Sequence, residues 1–340
     1  MVLVTEHYPW LDAQRSQLVN LHKADRLPHA LLLAGPAGIG KLQLADGLFS
    51  YLLCKSPVNG QACGECKSCQ LLKAGNHPDL FRLEPEEPGK AIKIDAVRRA
   101  AHFVAQTPQL GGYRCLVISP AENLNTNAAN ALLKILEEPG DATLFVLVSS
   151  QPSQISATVR SRCSRIEIPL PSVDDSKQWL KQRLSTKEAD DAQLDALLAV
   201  GGGSPLLAIN AHDADWLKQR ATLLVTLTKL LERSISAPEA ARLLEPVELV
   251  QLIGWWQLLA NDAIKSQMMG ENAPITAEPE RALINKIAQQ LSANALYLTI
   301  DALLEAKQTL LSGFNPNKIL MLEDLLIRWS HASQAATVRL

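Results

Sequence analysis

The sequence predicts an α/β P-loop domain with a parallel sheet, then a small helical lid and an all-α C-terminal domain. Three observations predict it. The glycine-rich loop Gly35-Pro36-Ala37-Gly38-Ile39-Gly40-Lys41 follows directly on an apolar run. Strand-like and helix-like segments alternate up to residue 168. After Pro169-Leu170-Pro171 only helical patterning remains.

Taken in order, residues 30–34 read Ala-Leu-Leu-Leu-Ala, a buried strand feeding the glycine loop. A helix is expected over 42–53, where a phosphate-binding loop runs into its helix. Apolar runs at 80–83, 115–119, 143–149 and 165–168 are the other expected strands. A helix over 95–105 opens on Asp95 as N-cap and stops before Pro108. Another over 127–137 puts Ala129, Leu132, Leu133 and Leu136 on one face and ends at Pro139. Beyond the Pro-Leu-Pro break, helices are expected over 174–184, 189–199, 216–232, 238–267, 280–293, 295–311 and 317–329, with 270–279 a flexible connection. Domains are expected at 1–168, 169–210 and 211–340.

The bulk numbers narrow the function classes. The chain has 340 residues with 47% hydrophobic content, enough for two or three cored domains. Lys plus Arg total 33 against 35 Asp plus Glu, a net charge of −2, which speaks against a chain that holds DNA by itself. No apolar run approaches the roughly 20 residues of a membrane span. No basic segment followed by an apolar one opens the chain, so a cytoplasmic protein without signal peptide or membrane contact is expected.

Four of the six cysteines, Cys54, Cys63, Cys66 and Cys69, fall in a C-x8-C-x2-C-x2-C pattern. Four thiolates make a closed tetrahedral zinc site with no open position, which points to a structural metal. The segment between them, with Pro57, Asn59, Gly60 and Gly64, is too polar to order itself through a core, and a metal would order it. The alternative is a loop of free thiols. Cys115 and Cys163 read as plain thiols.

The glycine loop matches Gly-x4-Gly-Lys, but Leu42 stands where Ser or Thr would ligate magnesium. A metal-organising carboxylate is wanted after the strand ending near Ile118. The chain has Ser119-Pro120-Ala121-Glu122 there, and Glu122, displaced along the chain, is expected to face solvent. Two missing magnesium contributors argue against hydrolysis. Gly35, Gly38, Gly40 and Lys41 remain a phosphate cradle whose occupancy stays open, because the glycines equally suit an empty strand-to-helix turn. Arg162, in Arg160-Ser161-Arg162-Cys163, falls at the expected domain edge away from that loop. An arginine there either pairs with a carboxylate of its own chain or reaches a neighbour's γ-phosphate.

The chain as a whole resembles the delta-prime family of bacterial clamp-loader subunits, which are AAA+ proteins. The resemblance is carried by Tyr8-Pro9-Trp10-Leu11, His29-Ala30-Leu31-Leu32-Leu33, the four cysteines and His77-Pro78-Asp79. It continues through Asn130-Ala131-Leu132-Leu133-Lys134, Leu136-Glu137-Glu138-Pro139 and Ser161-Arg162-Cys163. Near the C-terminus it includes Asn315-Pro316 with Leu320, Leu322 and Glu323. It implies a non-hydrolysing subunit of a pentamer with gamma/tau and delta subunits, within the DNA polymerase III holoenzyme. That pentamer places a sliding clamp on primer-template DNA. It further implies that Arg162 completes the neighbour's ATP site, and that the helices after 211 form the collar of the ring. Leu206 falls where the family's active members carry a sensor arginine, a third missing contributor. ATP binding therefore stays open, and neither ATPase nor polymerase chemistry of its own is expected. Trp216, Trp255, Trp256 and Trp329 read as core residues before they read as interface anchors. Two other readings compete: an active ATPase of the gamma/tau type, and a zinc-dependent DNA-binding module. The few charges around the cysteines (Glu65, Lys67, Lys73) disfavour the latter.

Overall fold

A computed structural model describes residues 7–87, 89–184, 190–213, 215–270, 272–311 and 316–332. Asn315 and residue 189, both part of the sequence reading, lie outside the described residues. Two compact units result, Met1–Pro171 and Ser172–Leu340.

The first unit runs α1 (Asp12–Lys23), β1 (Ala30–Ala34), α2 (Lys41–Leu53), α3 (Lys67–Lys73), β2 (Leu80–Leu83), α4 (Ile94–Val104), β3 (Arg114–Ile118), α5 (Thr126–Glu137), β4 (Thr143–Ser149), α6 (Ala157–Arg160) and β5 (Ser164–Glu167). All strand pairs are parallel, in the order β2-β3-β4-β1-β5. β1 is buried at all five positions because β4 and β5 flank it and helices cover both faces. On one face Val97, Ala100 and Val104 of α4 and Ala128, Leu132 and Leu136 of α5 pack on Leu32, Leu116 and Phe145. The glycine loop leaves β1 at its C-terminal end, where ligands of open parallel sheets gather.

Two local expectations are corrected here. α4 has Lys93, not Asp95, at its N-cap; Asp95 sits in the first turn, where its charge suits the helix dipole, and pairs with Arg98 at 2.9 Å. β3 starts one residue early, at Arg114, whose side chain is buried rather than solvated.

Among its described residues the second unit is all helical: α7 (Val173–Arg183), α8 (Asp191–Val200), α9 (Pro205–Asp213), α10 (Trp216–Leu231), α11 (Ala237–Leu244), α12 (Leu249–Met269), α13 (Arg281–Gln290), α14 (Ala293–Leu311) and α15 (Lys318–Ala332). The single helix expected over 238–267 is two. Pro246 cannot donate to a helix ladder, and the Glu248 carboxylate starts α12 afresh by accepting from the amides of Val250 and Gln251. The described part of 270–279 is pinned rather than free. Asp262, fully buried, accepts from the amides of Thr276 (2.9 Å) and Ala277 (3.0 Å), and Ala273 and Ala277 are buried. Trp255, Trp256 and Trp329 are core residues, Trp256 meeting Trp329 edge-on at 5.6 Å; Trp216 is half-buried against Trp255. No single helix among the described residues is long and apolar enough to cross a membrane.

Candidate functional site: a glycine loop, a four-cysteine cluster and an edge arginine

The loop after β1 has the shape its glycines allow. Gly38 and Gly40 take φ of 71° and 87°, the left-handed region. A Cβ on Gly35 would lie 2.1 Å from the Ile168 carbonyl oxygen, so no side chain fits there. No side chain caps α2, which leaves the amides of its first turn facing the loop.

Lys41 is buried, and its ammonium is engaged by the chain itself. It donates to the Gly35 carbonyl at 2.8 Å, to the Pro36 carbonyl, and to Ser150 Oγ at 3.2 Å. Three protons meet three acceptors. Burial lowers the Lys41 pKa to about 8, with partial compensation from the Glu122 carboxylate. Glu122 was expected to face solvent, and this is corrected. A short 3₁₀ turn, Ala121–Asn123, turns its side chain inward, where Oε1 accepts from the Ser150 amide at 3.0 Å and Oε2 is shielded from water. One carboxylate therefore does stand behind the loop. Leu42 is half-buried and Ser119 uses its amide on the Leu83 carbonyl; neither supplies a carboxylate, and Leu42 has no side-chain oxygen at all. Leu206 lies in the first turn of α9, without charge.

The four cysteines converge. Their sulfurs all lie within 4.8 Å of one another, with Cys54–Cys63 at 3.5 Å and Cys54–Cys66 and Cys63–Cys69 at 4.0 Å. A tetrahedral ion at about 2.3 Å from each sulfur requires edges of roughly 3.8 Å. The donor set thus fits a zinc-sized ion, and none of the four cysteines is in a disulfide. The amides of Cys63 and Cys66 donate to the sulfurs of Cys54 (3.2 Å) and Cys63 (3.4 Å), the kind of outer contact that favours thiolates. Asn59-Gly60 turns the chain between Val58 and Gln61, with φ of 51° and 78°. Burial pushes the Cys115 thiol up strongly and Cys163 up to about 11, in keeping with plain thiols.

Arg162 is exposed in the turn between α6 and β5. Its Nη2 donates to Glu137 Oε1 at 2.5 Å and its Nη1 to the Thr158 carbonyl at 3.0 Å. The own-chain ion pair anticipated from the sequence is formed, and the guanidinium still reaches the surface.

Two supports escaped the sequence reading. Trp10 Nε1 donates to the Ile39 carbonyl at 2.9 Å, and a Cβ on Gly40 would meet Tyr8 at 2.8 Å, so the Tyr-Pro-Trp-Leu segment braces the glycine loop. Asp79, fully buried, accepts from the amides of Gln109 (2.7 Å) and Leu110 (2.9 Å) and lies 3.8 Å from Arg114. His77 contacts Ser68 Oγ of α3 at 2.9 Å and accepts from the Asp79 amide, tying the cysteine segment to β2. The only hint of either role was the presence of those residue types within motifs.

Known proteins match this chain over nearly its full length. Residues 11–172 match the family described as DNA polymerase III, delta subunit, and residues 214–331 match its C-terminal counterpart. The DNA polymerase III subunit delta' of Pseudomonas aeruginosa is 41% identical over 323 residues, covering 95% of this chain and 97% of that one. The subunit delta' of Escherichia coli is 33% identical over 334 residues, covering 97% of each. That of Haemophilus influenzae is 30% identical over 325 residues, covering 96% of this chain and 97% of that one. With both units matched and full-length relatives above 30% identity, the chain belongs to the delta' subunit family of DNA polymerase III.

Proposed function

We propose that the chain is a clamp-loader subunit that does not hydrolyse ATP itself and acts on a neighbour's nucleotide through Arg162. Membership of the delta' family over nearly the full length supports the clamp-loader role. The observation that carries the trans-acting reading is a contrast between two cations. Lys41 is buried on its own loop, while Arg162 is exposed at the edge of the same unit. A guanidinium placed on a neighbour's γ-phosphate accelerates hydrolysis by roughly 10³–10⁵ in the systems where it operates.

In this reading the neighbours are gamma/tau and delta subunits of a pentamer working in the cytoplasm on the sliding clamp and primer-template DNA. Residues 1–168, 169–210 and 211–340 serve as motor-like domain, lid and collar. Cys54, Cys63, Cys66 and Cys69 hold a structural zinc; the fit of their spacing supports it, and a four-sulfur set leaves no position for substrate. Gly35, Gly38, Gly40 and Lys41 admit ATP only when Lys41 exchanges its internal acceptors for phosphate oxygens.

The test is the clamp- and DNA-stimulated ATPase of a reconstituted complex. Arg162→Ala lowers it at least about tenfold with assembly intact; an unchanged rate in a normally assembled complex removes the trans-acting role. One observation favours the second reading, an active gamma/tau-type ATPase: the inward-facing Glu122 beside Lys41. ATP turnover by the isolated chain that Lys41→Ala abolishes would establish it.

A further inference from the structure

Glu137 closes α5, and its carboxylate meets the Arg162 guanidinium at 2.5 Å. The other arm of the guanidinium donates to the Thr158 carbonyl at 3.0 Å. Two acceptors from two segments fix both the plane and the direction of the group. An arginine has five N–H donors, so these two contacts leave three others on an exposed side chain.

Both anchors stand on braced backbone. Leu136, beside Glu137, is buried, and its carbonyl contacts His29 Nε2 at 3.2 Å, tying the end of α5 to the start of β1. The turn bearing Arg162 hangs from buried Val159, whose carbonyl accepts the Arg162 amide at 3.2 Å. Ser156 caps the preceding short helix through the Val159 amide.

Glu137 also sits against local preference. It is the last residue of α5, followed by Glu138, where the helix dipole is negative and disfavours carboxylates. Pairing of two partly exposed side chains adds little to fold stability. Its effect is on where the arginine points.

We propose that Glu137 is a positioning residue: with the Thr158 carbonyl it holds Arg162 with its free edge outward, oriented for the triphosphate of a neighbouring subunit. This rests on the trans-acting reading of Arg162. A carboxylate on the inner edge and a phosphate oxygen on the outer edge engage one delocalised cation without displacing each other. An arginine already oriented loses less freedom when the phosphate arrives, so the consequence falls on kcat of the neighbour's hydrolysis rather than on nucleotide binding.

The experiment uses the reconstituted loader with clamp and primed DNA. Glu137→Ala lowers kcat about three- to tenfold while KM for ATP stays within about twofold. Glu137→Gln keeps an acceptor oxygen and restores kcat to within about twofold of wild type. In an Arg162→Ala background, Glu137→Ala has no further effect. Glu137→Lys, which repels the guanidinium, lowers the rate as far as Arg162→Ala. A wild-type rate in Glu137→Ala or Glu137→Lys overturns the proposal, as does an equal loss in both backgrounds, which would mark a role through the fold. If Arg162→Ala itself leaves the rate unchanged, the trans-acting reading fails and this role falls with it. If Arg162→Ala lowers the rate and Glu137→Ala does not, only the role of Glu137 is lost.

Discussion

Lys41 Nζ lies 3.2 Å from Ser150 Oγ, so the lysine of the glycine loop is fastened to the residue just beyond β4. With the Gly35 and Pro36 carbonyls as its other acceptors, the ammonium bridges the ends of two adjacent parallel strands. A cation used in this way is a structural tie, and its ionisation is coupled to folding.

Lys41 should leave a pH signature. Burial lowers its pKa to about 8 in the folded chain, against an ordinary 10.5. Below pH 8 both folded and unfolded states carry the proton, and the cost of the buried charge is felt in full. Between the two values the unfolded chain holds more protons, so rising pH favours folding. Allowing for the water that reaches the loop, wild type gains about 1–2 kcal/mol on Lys41→Met between pH 7 and pH 10. Urea midpoints of both proteins at both pH values measure it; a constant difference would show that the ammonium is not held in burial.

Elemental analysis of protein purified without chelator should find one zinc per chain, and Cys69→Ser should abolish it. Loss of the metal costs on the order of 3 kcal/mol or more, because the turn over 57–64 has little apolar burial of its own. Limited proteolysis should then cut first in that turn. Full stability in a metal-free preparation would count against the site.

Asp79→Ala should be severely destabilising, by about 3–5 kcal/mol, because it leaves the Arg114 charge buried without its carboxylate and strips two amides of their acceptor. Arg114 retains the carbonyls of Phe103 and Thr107, both at 2.7 Å, so the loss is of charge balance more than of hydrogen bonds to the guanidinium. Thermal unfolding reads this directly.

Arg162→Ala, by contrast, should change the stability of the isolated chain by no more than about 0.5 kcal/mol, since its partner Glu137 is itself half exposed. A large shift in the unfolding midpoint would mean that Arg162 is a structural residue, and would recast any loss of ATPase in the assembly.

Much of this was legible in the residue order, for identifiable reasons. β1 declares itself because a strand covered on both faces must be continuously apolar, and the four cysteines because their close spacing lets one short segment bring four sulfurs within 4.8 Å. What was misread depends on contacts far apart in sequence or on turns that redirect a side chain. The displacement of Glu122 along the chain suggests solvent, but the 3₁₀ turn brings it to the Ser150 amide. The helix over 238–267 hid a break because its apolar pattern runs through Pro246 and Glu248. The sequence leaves Arg162 two readings, a carboxylate of its own chain or a neighbour's phosphate, and only packing of α5 against the turn after α6 selects Glu137, 25 residues away, as the own-chain partner. Tyr8 and Trp10 meet the glycine loop some 30 residues on, where local periodicity carries no information.

β5 is four residues long, with the Arg162 turn before it and Ile168 after it. The carbonyl of Ile168 forms the wall against which Gly35 is pressed, and its amide donates to the Ala34 carbonyl at 2.8 Å. At about 3.3 Å per residue the strand is a rod of roughly 13 Å, locked in register to β1 from Leu31–Ser164 to Ala34–Glu167. The glycine loop and the edge arginine are therefore the two jaws of one caliper. Its gap is fixed by the length of that strand.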